Sequence, residues 1–342
     1  MNNFDMVQRT RRKNLLIVEG NHEKNELFAI VRRCFPELGI DPQDIWIYGT
    51  NIYALLAALK RAYGADWDQQ DIDLPFVIST EETPESYRYK RNYLNILLIF
   101  DYERQDPQFD AEAIARMQEY FSDPADVGKL YLNYPMVESY QHFLSFPDPD
   151  FRDRHVPADL QRGGEYKRIM NDLPMTRCIN FYNTLPQRLN SVLGTDDTAE
   201  NNAHAEALLN CSNNAQLEET SRKIASAAHA RQTDCSQYLT YLVTERSYIS
   251  EGINYWTYMR RRFAEIIRYN ICKANWLTGG AYHLADNALR EAYEALSLSA
   301  VLKRQNTDSA DVQQGYIWVL NTCLFFVADY RFSLIEPDKF PL

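Results

Sequence analysis

Glu19 stands directly after the aliphatic run LLIV, in the stretch LLIVEGNHEKNELF at 15–28. Asp101 and Glu103 stand directly after a second run, in ILLIFDYE at 96–103. Glu138 follows a third, in KLYLNYPMVESY at 129–140, and Glu23 lies one helical turn past Glu19. Any one of these acids could simply cap the helix that follows it. Brought together, they would repel and would need a counter-charge. A divalent cation supplies one: Mg2+ takes hard oxygen ligands, keeps several waters and needs only two or three carboxylates. Mg2+ (or Mn2+) held there could polarise a phosphate or stabilise a leaving oxygen.

Bringing these acids together requires parallel strands. NLLIV at 14–18, IWIYG at 45–49, YLNILLIF at 93–100 and KLYLNY at 129–134 read as strands, the continuous apolar runs suiting a parallel sheet. Between them, 22–34, 51–63 and 111–121 read as helices, with Asn51 a candidate cap and Pro36 a stop. VESYQHFL reads as the start of another helix, and 64–91 as a polar loop or insertion. This alternation implies right-handed crossovers and an α/β unit over residues 1–147. Ligands of such sheets bind at the carboxyl ends of the strands, where Glu19 and Asp101 fall. The Asp-x-Glu spacing turns both side chains to one side if the chain stays extended.

After the Pro/Asp-rich FPDPDFRDRHVPADLQRGG the strand pattern stops. Helices are expected at 165–171, 177–193, 200–210, 215–230, 234–248, 252–276, 281–303 and 311–332. Residues 148–342 are thus expected to be an all-α domain for interaction or substrate positioning. The apolar tract GYIWVLNTCLFFVADY at 315–330, interrupted by Asn321 and Thr322, is shorter than the ~20 residues that span a bilayer and reads as a buried helix.

LLIVEG followed by a helix, then LLIFDYE ending a later strand, resembles the Toprim domain, the metal-binding fold of topoisomerases, primases, recombination proteins and the overcoming-lysogenization-defect nucleases. In that family a Glu closes the first strand and Asp-x-Asp closes a later one. Glu19 matches the first; Asp101 and Glu103 match the second, with Glu in place of the second Asp. The Glu-rich helix text NHEKNELF is similar to the nuclease branch, whereas topoisomerases read EGDSA. The resemblance covers 14–145. It implies phosphodiester cleavage in RNA, tRNA included, or DNA, with Glu19 shuttling a proton and Asp101 and Glu103 holding Mg2+. Glu23 and Glu138 are further candidate ligands. It also implies an antiviral defence effector controlled by a partner such as an ABC-type ATPase; homo-oligomers stay open, as does a non-catalytic Toprim-like interaction module.

Basic residues cluster at QRTRRK (8–13), YRYKRN (87–92) and MRRRF (259–263). Arg88, Lys90 and Arg91, interleaved with Tyr87 and Tyr89, are candidate contacts to phosphates and bases. The net charge of −11 argues against a chain coated all over with nucleic acid, though not against a local basic groove. His22 is a candidate proton-transfer partner beside the acids. Six scattered cysteines without a CxxC pair argue against a zinc ribbon and, with no signal-peptide core near the N-terminus, for reduced thiols in the cytoplasm. There is no GxxxxGK[ST], GxSxG or HExxH.

Overall fold

The structure, a computed structural model, describes residues 13–160, 162–194, 196–228, 232–244, 247–283 and 285–336. Residues 8–12 of the first basic cluster lie outside them. The described residues divide into two compact units, one drawn from 13–140, 149–167 and 266–336, the other from 141–148 and 168–265. The division does not follow a single cut after residue 147, because the last quarter of the chain clusters with the α/β part.

The first unit is built on a five-stranded sheet flanked by helices. Its strands are β1 (Lys13–Val18), β2 (Ile45–Ile47), β3 (Tyr93–Asp101), β4 (Ser122–Asp123) and β5 (Gly128–Asn133). The order is β2-β1-β3-β5-β4, all parallel except the short edge strand β4. Leu15–Val18 and Ile96–Phe100 are buried throughout, which is why both read as unbroken apolar runs. Helix α1 (Phe28–Cys34) follows a wider π-turn over Glu23–Leu27. Asn51 caps α2 (Ile52–Tyr63), its side chain accepting from Ala54 N–H at 3.1 Å. The expected loop at 64–91 carries a short helix, α3 (Leu74–Ile78), and single 3₁₀ turns. Asp110 caps α4 (Ala111–Tyr120).

Three expectations are corrected. VESYQHFL forms only one 3₁₀ turn, Val137–Gln141. The expected helix 281–303 is two, because Ser297 caps a new start by accepting from Ala300 N–H at 3.2 Å. The tract 311–332 is not one helix, and the C-terminal part is therefore not all-α. Its Tyr316–Trp318 form a strand that pairs antiparallel with His155–Pro157. Residues 319–324 form no helix, Leu320 making an isolated antiparallel bridge to Tyr134, and only Phe325–Tyr330 are α-helical. Asn321 and Thr322 explain the break: their side chains are buried and bonded to distant backbone, an alternative to the helical ladder. The two strands are β6 (His155–Pro157) and β7 (Tyr316–Trp318).

Helices fill the rest. They are α5 (Lys167–Met170), α6 (Pro174–Leu193), α7 (Thr198–Leu209), α8 (Asn214–Ala227), α9 (Gln232–Thr244), α10 (Ser247–Ser250) and α11 (Tyr255–Leu277), followed by α12 (Asp286–Glu294), α13 (Leu298–Asp308) and α14 (Phe325–Tyr330). The second unit holds α6 to α10 and the first part of α11. Pro174 opens α6 at a position that needs no N–H, and Gly194 closes it in the left-handed region at φ 67°. In the first unit α1 meets α14, the rings of Phe28 and Phe326 lying 5.7 Å apart. Among the described residues no helix is long and apolar enough to cross a membrane.

Candidate metal centre

The sheet order places the acids. Strand β1 has β2 on one side and β3 on the other, so the chain direction across the sheet reverses at β1. At such a switch point the loops leaving adjacent strands part, and a crevice opens at the carboxyl edge. Glu19 follows β1 at this crevice, and Asp101 is the last residue of β3 beside it. Glu19 Oε2 accepts from the backbone N–H of Asp101 at 3.2 Å. One oxygen each from Glu19, Asp101 and Glu103 lie within 4.8 Å of one another. Asp101 is 6% and Glu103 5% exposed, so the charges have little water to screen them.

The turn after β5 reaches the acids. Val137 N–H donates to Asp101 Oδ1 at 2.8 Å. That bond takes a donor into the acid site, and the segment stops after one turn instead of continuing as a helix. Glu138 follows and is buried. Its Oε1 meets Lys167 Nζ at 2.8 Å and His22 Nε2 at 3.6 Å. Its Oε2 has no hydrogen-bond partner among the described residues, although it is out of contact with solvent. Burial opposes the charge on Lys167, but the bond to Glu138 and the nearby charges of Glu138, Asp101 and Glu26 outweigh it and raise the amine above 10.5. Tyr166 is fully buried beside them; burial first, then the charge of Glu138, pushes its phenol well above the usual 10.

Glu23 does not join the cluster of three. Its Oε2 accepts from Gly20 N–H at 3.0 Å, folding back over the loop between β1 and the helix. Burial is the main reason its carboxyl is raised above 4.5; Glu138 adds to this and His22 opposes it. Glu138 is likewise outside the cluster of three. Glu23 is bonded to the loop that follows Glu19, and Glu138 lies on the turn whose Val137 amide meets Asp101.

The basic candidates lie elsewhere. Arg88, Lys90 and Arg91 precede β3, and Asp101 ends it eight residues on from Tyr93, roughly 26 Å at ~3.3 Å per residue. Arg88 donates to the carbonyls of Thr80, Glu81 and Thr83, pinning that loop. Lys90 is paired with Asp71, and Arg91 lies 4.6 Å from the Tyr89 ring centre. The structure does not bring these three to the acids. In the second unit Arg262 pairs with Glu251 and Glu265, both at 2.7 Å. Lys13, from the first basic cluster, pairs with Asp44 at 3.1 Å.

Sequence reading missed Lys167 and the Val137 amide. Lys167 sits in the polar stretch RGGEYKR, where nothing in the pattern marks it, and a backbone donor leaves no trace in a sequence. Three carboxylates this close, two of them buried, fit a hard divalent cation such as Mg2+ or Mn2+, with Glu19, Asp101 and Glu103 to hold it. Compared with protein-family models, with curated proteins and with solved structures, the chain matches none.

Proposed function

We propose that the chain is a Mg2+- or Mn2+-dependent nuclease that cleaves phosphodiester bonds in RNA or DNA. The observation that carries this reading is the convergence of Glu19, Asp101 and Glu103 oxygens within 4.8 Å at the switch point of the sheet. A cation held there would polarise the scissile phosphate and offset the charge that builds on it. Asp101 and Glu103, both buried and one fixed by the Val137 amide, would hold it together with Glu19. Glu19, the most exposed of the three, would accept a proton from an attacking water. Lys167, half-exposed and kept charged, stands near Asp101 and Glu138, where a phosphate oxygen would meet it.

The resemblance to Toprim nucleases extends the proposal to a cytoplasmic antiviral effector restrained by an ABC-type ATPase, with a helical unit that serves interaction. A second reading is a non-catalytic interaction module. It is favoured by the internal pairing of Arg88, Lys90 and Arg262, which leaves less basic surface for a nucleic acid. The two part on a simple assay. Purified protein is incubated with tRNA, single-stranded RNA and plasmid DNA in Mg2+ or Mn2+, beside Glu19→Ala and Asp101→Ala. Metal-dependent cleavage lost in both variants is expected; cleavage that survives both substitutions removes the nuclease reading.

A further inference from the structure

Asn321 is 0% exposed and belongs to the irregular segment between β7 and α14. Its Nδ2 donates to Val137 O at 2.8 Å and lies 3.3 Å from Ser139 Oγ. Its Oδ1 accepts from Leu324 N–H at 3.2 Å and from Cys323 Sγ at 3.3 Å. Its own backbone N–H donates to Asn270 Oδ1 at 2.7 Å. The amide of an asparagine offers two donors and one carbonyl oxygen, and here each end faces matching partners. The side chain is therefore held in one orientation, aimed at the turn after β5.

That turn is the one that reaches the acids. The Val137 carbonyl bonded by Asn321 shares its peptide plane with the nitrogen of Glu138. The Val137 N–H, on the other side of the same Cα, donates to Asp101 Oδ1 at 2.8 Å. Fixing Val137 from its carbonyl thus fixes the donor that sets the rotation of the Asp101 carboxylate. It also fixes where the Glu138 side chain leaves the backbone. Partners one bond behind a ligand orient it and tune its hold on the metal.

We infer that Asn321 is a positioning residue for the acidic centre, clamping the Val137–Glu138 turn so that Asp101 is presented in a single pose. The inference rests on the metal reading proposed above. The neighbouring Thr322 provides an internal control. It is 2% exposed, and its Oγ1 donates to Leu132 O at 2.7 Å, bracing β5 without touching the turn.

The test measures Mn2+ affinity by calorimetry and the melting temperature in EDTA for the full chain, Asn321→Ser, Asn321→Asp and Thr322→Val. Asn321→Ser and Asn321→Asp are expected to weaken Mn2+ binding roughly 10- to 100-fold. Thr322→Val is expected to lower the melting temperature and leave affinity within about 2-fold of wild type, since it loses a bond of ordinary worth away from the site. Folded Asn321 variants that bind Mn2+ as wild type does, or a Thr322→Val that weakens it as much, overturn the inference. If neither Asn321 variant folds, hydrogen exchange in the wild type decides: in EDTA the Val137 amide must be protected about as strongly as the amides of β5, and a fast-exchanging Val137 amide overturns the clamp. A wild-type chain that binds no Mn2+ removes the metal reading and this inference together.

Discussion

The backbone N–H of Asp101 donates to the carboxylate of Glu19, 82 positions earlier in the chain. Two strand ends are thus joined by a bond that leaves the acids side by side, and Glu103 adds a third. Without a cation, this proximity is a cost to the fold. We predict that Glu103→Gln makes the metal-free protein more stable, by about 1 kcal/mol. In a chain of this size that is about 2 °C in melting temperature. The same variant should lose its response to Mn2+. A metal-free melting temperature below wild type would count against mutual repulsion at the site.

Metal addition should likewise stabilise the wild type. At a free Mn2+ concentration about 100-fold above the dissociation constant, mass action adds about 2.7 kcal/mol to the folded state. Thermal melts with Mn2+ and with EDTA measure this, and EDTA should reverse it. Glu19→Ala and Asp101→Ala should show no such shift. An equal shift in all three proteins would place the ion elsewhere.

Arg88 and Arg91 are expected to part company although both lie in the same basic stretch. Arg88 holds three carbonyls of the 80–83 loop, so Arg88→Ala should cost about 1–3 kcal/mol. Arg91 is exposed, and Arg91→Ala should lie within about 0.5 kcal/mol of wild type. Neither change should alter Mn2+ affinity, given the length of β3 between them and Asp101. Urea denaturation and calorimetry read both quantities.

The acids were legible because continuous apolar strands ending in a carboxylate are a local pattern. Glu19 and Asp101 needed only the parallel order of β1 and β3 to meet, and that order follows from alternating strands and helices. The tract at 315–330 misled for a physical reason. Its apolar residues from Ile317 to Ala328 are buried as expected, but Asn321 and Thr322 satisfy distant backbone groups, and the apolar pattern cannot distinguish buried helix from buried irregular chain. The basic stretch at 87–92 was visible as charge, yet charge alone does not say whether an arginine faces a ligand or its own loop. Lys167 carried no signal, since its role comes from Glu138 reaching it across the fold.

Glu23 gives a pH-dependent prediction. Its folded carboxyl is raised above 4.5, chiefly by burial, so the folded state keeps a proton that the unfolded chain has already released. Stability therefore falls as pH rises from about 4.5 through the folded value and levels off beyond it. In EDTA, Glu23→Gln should melt above wild type at pH 8, and the gap should close as the pH is lowered towards 4.5. A gap that is constant across this range would show that ionisation of Glu23 is not its source.

The turn carrying Glu138 meets its asparagine clamp only 184 positions later in the chain. At ~5–20 residues per second, a ribosome needs roughly 10–40 s to cover that interval. Throughout it, the growing polypeptide already contains every acid of the centre but not the residue that steadies the turn beside Asp101. The Val137 carbonyl therefore gains this hydrogen bond only once residue 321 has been made, so the surroundings of the acidic cluster are completed late in the synthesis of the chain.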